Sequence, residues 1–257
     1  MNNNTSSPVS RRSLLRSGGV IVAGGAVLAA CGGSAESGTI ARIGSIPEIE
    51  KLESVHVTDV ALLRTAMSVE KMVASMLSDS RVVSLAESSV SPFISKYAAA
   101  HTTNLSVLAP LVTARGGATV DEPNAKLMAA YGDTALELVE AGKTPDDVLN
   151  LTLGLETLVA ATYQYFVSLT NEAALRADMM RLGAASSRRA AAIAQLIRGG
   201  TAGFVPGLSE KGEELTATLP TAFGTLSAVQ VLVGPLNEVG TRSPLAFDTP
   251  SLNSMIY

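Results

Sequence analysis

From residue 55 to residue 200 the apolar positions recur every three or four residues, the spacing of one buried helical face. Four long helices follow. The first runs from about Val55 to Leu77, with Val60, Leu63, Met67, Glu70, Val73 and Leu77 on its inward stripe. The second runs from about Pro92 to Ala114, with Ile94, Tyr97, His101, Leu105, Leu108 and Val112 inward. Ser91 is its expected cap, Pro92 its first residue, and Gly116-Gly117 its end. Pro110 is expected to kink this helix or end its regular part, because proline offers no N–H and crowds the preceding turn. Two short helices fit between Asn124 and Glu140. The third long helix opens on Thr144, Pro145, Asp146 and Asp147: a cap, a proline, then acids facing the positive helix end. Its stripe is Leu149, Leu153, Glu156, Val159, Tyr163 and Val167. The fourth, from about Asn171 to Arg198, carries Leu175, Met179, Leu182, Ser186, Arg189, Ile193 and Leu196, and Gly199-Gly200 stops it.

The last 57 residues break the pattern. They hold Pro206, Pro220, Pro235, Pro244 and Pro250 and no long helical period. Ala228 to Val233 reads as a short strand, with a buried helical turn as the alternative. Val231, Leu232, Val233, Leu245 and Phe247 gain from burial, so this segment is expected to wrap the helices. The fold class is therefore all-α: a four-helix bundle over residues 51–200, then a largely irregular segment over 201–257.

Composition narrows the chemistry. Of 257 residues, 47% are apolar, too many for a disordered chain. One Cys makes neither a disulfide framework nor a Cys-rich zinc site, and two His exclude a His-rich centre. A formal charge of -4 excludes general nucleic-acid binding.

Residues 1–30 read as an address. Arg11 and Arg12 precede Ser13-Leu14-Leu15, and Gly18 to Ala30 is a run of 13 mostly apolar residues, short of the ~20 that span a bilayer. The paired arginines resemble a twin-arginine export signal. Leu28-Ala29-Ala30-Cys31 resembles a bacterial lipobox, which implies cleavage before Cys31 and lipidation of its thiol. The exported chain is then held on the membrane, each buried methylene contributing ~0.8 kcal/mol. The removed stretch holds three arginines and no acid, so 16 of the 19 basic residues stay against 23 acids, a formal charge of -7. Residues 31–50 read as the lipidated tether. Such a protein sits in the bacterial cell envelope, with the membrane as one partner and an envelope protein as another.

Every long helix carries a polar residue where its stripe calls for an apolar one: Glu70, His101, Glu156 and Arg189. A buried carboxylate is costly unless paired or metal-bound, so the four are expected to share one layer. In this order, with Ser186-Ser187-Arg188-Arg189-Ala190-Ala191 on the fourth helix, the chain resembles the ferritin-like superfamily. Pro244-Leu245-Ala246-Phe247-Asp248-Thr249-Pro250 resembles the ending of its secreted, desiccation-related branch. The resemblance covers Val55 to the C-terminus. It implies a ferritin-like four-helix bundle and, in metal-bearing relatives, a di-iron or di-manganese site.

The metal pattern is incomplete. Glu70, His101 and Glu156 match it. Ala98 stands where a Glu belongs, Ser186 where the second such Glu belongs, and Arg189 where its His belongs. Arginine has no lone pair for a metal. Two glutamates, Arg189 and a protonated His101 sum to zero charge, so a structural polar layer of Glu70, His101, Glu156, Ser186 and Arg189 is expected, with a bidentate Arg–Glu bond and no cofactor. The expected function is a non-catalytic envelope scaffold or binding protein. The alternative is an iron or manganese binder with ferroxidase-like or catalase-like activity, using Glu70, His101 and Glu156. A small-molecule carrier is the third reading.

Other motifs reduce to structure. Ser68-Val69-Glu70-Lys71 fits Ser-x-x-Lys without its companion motifs. Gly142-Lys143-Thr144 ends like a phosphate loop, but Glu137 stands where the first Gly belongs, so it reads as a loop and cap. His56 reads as a terminus residue, the other arginines of the fourth helix as solvated, and Met72, Met76, Met179 and Met180 as core filling.

Overall fold

The computed structural model describes residues 57–225 and 228–257. The export signal with Arg11 and Arg12, Cys31, the tether and His56 lie outside the described residues. The described chain is mostly helical, with short sheets only. Its helices are α1 (Asp59–Leu77), α2 (Ser80–Val83), α3 (Ser91–Thr113), α4 (Ala125–Leu127), α5 (Asp133–Gly142), α6 (Pro145–Leu169) and α7 (Ala173–Arg198). A π-turn, Met128–Gly132, joins α4 to α5. Among the described residues, no helix is long and apolar enough to cross a membrane.

The long helices divide by burial. α1 and α6 are inner helices. The whole run from Leu151 to Tyr163 on α6 is buried, far more than one stripe. α3 and α7 are outer helices that bury single faces: Ile94, Ala98, His101, Leu108 and Val112 on α3. α1 packs on α3, and α6 on α7 and α1. Local chemistry starts the inner pair. The Thr58 hydroxyl accepts from the Ala61 amide at 3.2 Å at the head of α1. At the head of α6, Thr144 and Asp147 form a reciprocal capping box. The Gly142–Thr144 triplet is thus a helix end followed by a cap, as its sequence context indicates.

Several local expectations are corrected. Val90 stands at the cap of α3, and Ser91 is already helical. Pro110 does not end the regular helix, which runs on to Thr113. The amides after Pro110 still bond to the helix, with the Ala114 amide donating to the Pro110 carbonyl at 3.0 Å, so the helix continues for one more turn. Leu196 and Met180 are about half exposed and belong to no core stripe, because α7 buries one narrow face and both residues lie off it.

The C-terminal segment is more regular than its prolines suggest. It holds two antiparallel ribbons, β1 (Gly207–Leu208) with β2 (Glu214–Leu215), and β3 (Ala228–Leu232) with β4 (Pro244–Asp248). On β3, Val229 and Val231 face inward and their neighbours outward, the alternation of a half-buried strand. β3 lies on α6, where Gly154 makes the approach possible. A Cβ there would come within 2.3 Å of the Val231 side chain. The π-turn aims Tyr131 at β4. Its ring stacks on Phe247 at 4.5 Å, and its hydroxyl donates to the Asp248 carbonyl at 3.1 Å.

Asp147 fastens the ribbon. Its side chain is fully buried and takes four donors. Oδ1 accepts from the Gly234 amide and from Arg242 Nε, both at 2.9 Å. Oδ2 accepts from the Thr144 amide at 3.2 Å and the Thr144 hydroxyl at 2.6 Å. The residue that caps α6 therefore also anchors the loop between β3 and β4.

Candidate functional site: a buried charged layer

The four expected residues meet at the centre of the long helices. Glu70 comes from α1, His101 from α3, Glu156 from α6 and Arg189 from α7. The first three are fully buried, and the Arg189 side chain is 14% exposed. Each helix supplies its residue from an inward turn of its stripe, so the 3.6-residue period brings them together.

His101 is the bridge. Its Nδ1 lies 2.5 Å from Glu70 Oε2, and its Nε2 lies 3.1 Å from Glu156 Oε1. Both ring nitrogens face carboxylates, an arrangement fully satisfied only by the imidazolium with its two donors. Burial pulls the His101 pKa down, but the charges and hydrogen bonds of Glu70 and Glu156 outweigh it and hold the pKa at about 9. For Glu156, burial alone would raise the pKa. The charges and hydrogen bonds of His101 and then Arg189 reverse this and hold it below the usual carboxylate range.

Glu70 is completed by two residues that the sequence reading does not place in the layer. Tyr163 donates its hydroxyl to Oε1 at 2.6 Å, and the Asn104 amide donates to the same oxygen at 3.0 Å. Burial, and then the Glu70 charge beside it, drive the Tyr163 pKa well above its ordinary value, so it stays a donor. Both were within reach of sequence spacing. Asn104 follows His101 by three residues on the same face. Tyr163 follows Glu156 by seven, two turns along the same stripe. On an inward stripe, spacing alone does not distinguish Tyr163 from an apolar core residue.

Arg189 reaches Glu156, though not as expected. Its Nε donates to Oε1 at 2.6 Å, while one terminal nitrogen donates to the Ser186 hydroxyl at 2.8 Å. The pairing is single, and the expected bidentate bond is corrected: the guanidinium is shared between Glu156 and its own helix. The guanidinium carbon also lies 5.8 Å from the Tyr97 ring centre, within cation–π range. Ser186 is buried in the layer as expected, and Ala98 is buried without a polar atom to offer. Glu156 Oε2 is buried and has no hydrogen-bond partner among the described residues.

No family model, curated protein or solved structure matches the chain.

The layer itself can be tested against a two-metal centre. Such a centre draws on about six protein ligands with lone pairs turned inward. Here the His101 nitrogens are engaged with carboxylates, both Glu70 oxygens accept, and Glu156 Oε1 accepts twice. Glu156 Oε2 is the single uncommitted donor atom among Glu70, His101 and Glu156. The residues as arranged do not fit a two-metal site. They form a set of ion pairs in which two carboxylates face an imidazolium and a guanidinium, with Glu156 Oε2 left over.

Proposed function

We propose that this protein is an exported, lipid-anchored envelope protein with a ferritin-like four-helix bundle, whose metal centre has been replaced by an ion-pair layer. It acts as a non-catalytic scaffold or binding protein. The observation that carries the reading is Arg189 Nε, 2.6 Å from Glu156 Oε1 at the position where the metal-bearing pattern has a histidine. A fixed cation there supplies positive charge that metal ions would otherwise provide. The order of the four long helices α1, α3, α6 and α7, each contributing one layer residue, supports the bundle. The Arg11-Arg12 pair and the Leu-Ala-Ala-Cys31 sequence support export and anchoring.

Two experiments test it. Thermal melting of the exported protein is followed with iron, with manganese and with a chelator. A ligand that binds the folded state raises stability, so the scaffold reading expects one melting temperature throughout. A rise with metal that disappears in Glu156→Ala would establish the metal-binding alternative, for which the unpartnered Glu156 Oε2 is the specific foothold. The second experiment fractionates cells expressing Cys31→Ser. Anchoring through the thiol predicts release from the membrane fraction, and an unchanged distribution would refute it.

A further inference from the structure

A second region has the features of a site and uses none of the layer's charges. A cleft of about 130 Å³ lies between α6 and α7 and is also lined by Phe223. Its walls include Ala160 and Ala190, whose small side chains leave the space open. Gln164 and Ser187 line both this cleft and a second groove of about 240 Å³ on the same two helices. The cleft approaches the ~150 Å³ of an apolar cavity that takes up benzene.

One buried, unpartnered polar group lines this cleft. Thr157 lines it, is 4% exposed, and its hydroxyl has no hydrogen-bond partner among the described residues. Two other buried threonines of these helices turn back on their own backbone. Thr65 donates to the Ala61 carbonyl and Thr152 to the Val148 carbonyl, each at 2.7 Å. Thr157 and Thr162, on the same helix as Thr152, do not, and of these two it is Thr157 that lines the cleft. Its hydroxyl is left for a partner from outside the helix, in a place with apolar walls and a polar mouth. Ligand pockets have this composition: mostly apolar, with few polar groups that fix orientation.

We propose that this cleft binds a small neutral molecule with a compact apolar body and one hydroxyl, the hydroxyl meeting Thr157 and the body lying against Ala160, Ala190 and Phe223. The site is independent of whether the charged layer holds a metal.

Phenol is the probe and benzene its control, titrated into the purified exported chain and followed by amide NMR shifts. Phenol is expected to saturate, with shifts centred on residues around Thr157, Ala190 and Phe223. Benzene is expected to bind about fivefold more weakly, the factor of one ordinary hydrogen bond. Thr157→Val keeps the shape and removes the hydroxyl. It should lower phenol affinity about fivefold, leave benzene unchanged and melt no lower than the parent. Ala160→Leu should abolish both by filling the space, and if that variant does not fold, Thr157→Val decides. Phenol shifts that rise without saturating, or a Thr157→Val variant that binds phenol as the parent does, would overturn the proposal.

Discussion

Asp147 and Glu156 are both fully buried carboxylates on α6, and both meet an arginine. Asp147 has two donors on each oxygen, which uses its full accepting capacity. Two of its donors are backbone amides and a third belongs to Thr144, three residues away. Glu156 has two donors on Oε1 and none on Oε2. Both of its donors are cationic side chains from other helices. The Asp147 cluster is a clamp: half its donors are local and half come from the ribbon, every acceptor site is satisfied, and it holds a loop. The Glu156 layer depends on charges arriving from three helices and leaves one oxygen unsatisfied. A site fitted only for stability resembles the first. Under the proposed function, the second is a metal site whose ligands have been replaced, with one oxygen left without a donor.

The largest effect that separates the two is expected from Arg189→Ala. It removes the guanidinium from a buried carboxylate that has only His101 besides, and breaking such a pair costs about 3–5 kcal/mol. Urea unfolding measures it. A variant as stable as the parent would show that Arg189 contributes nothing to the layer.

The pH dependence comes next. The His101 pKa lies at about 9 in the folded chain against an unperturbed value of 6.5. Its charge therefore stabilises the fold fully below about pH 6.5, and this contribution is lost as pH rises through about 9. For Glu156, with its pKa lowered, the contribution is present above the ordinary carboxylate pKa and is lost on acidification. Stability measured between pH 6 and pH 10 should fall across the upper window, and His101→Gln should flatten that fall.

Arg242→Ala should cost less than Arg189→Ala, about 2 kcal/mol, because Asp147 keeps the Gly234 amide and the Thr144 donors. Its signature is local: hydrogen exchange at β3 and β4 should speed up while α1 and α3 keep their protection. Equal destabilisation by the two arginine variants would remove the distinction between clamp and layer. The smallest change is Gly154→Ala, where the new methyl presses on Val231 and costs about 1–2 kcal/mol. It should loosen the same ribbon and leave the layer's pH profile unchanged.

Much of the helical organisation was legible in the sequence because amphipathic periodicity is a local signal. Glu70, His101, Glu156 and Arg189 stood out as polar residues on apolar stripes, and the structure brings those four together. Tyr163 did not stand out, since an aromatic ring on a stripe reads as core whether or not its hydroxyl has a task. The single Arg189–Glu156 bond was not legible either, because how a guanidinium divides its donors depends on Ser186 one turn away. The inner helices were read too narrowly. α6 is buried on every side along Leu151–Tyr163 because β3 covers a face that periodicity assigned to solvent. That ribbon pairs Ala228–Leu232 with Pro244–Asp248 across a long loop, and its anchor, Asp147 with Arg242, joins residues 95 apart in sequence. A local pattern cannot register such a pairing.

The central claim is that ion pairs stand where metal ions would. Elemental mass spectrometry of the natively exported protein, prepared without a metal-affinity step, tests it most directly. The account predicts far less than one equivalent of iron or manganese per chain, before and after reconstitution. A near-stoichiometric amount, lost in Glu156→Ala, would contradict it and require Arg189 to leave Glu156.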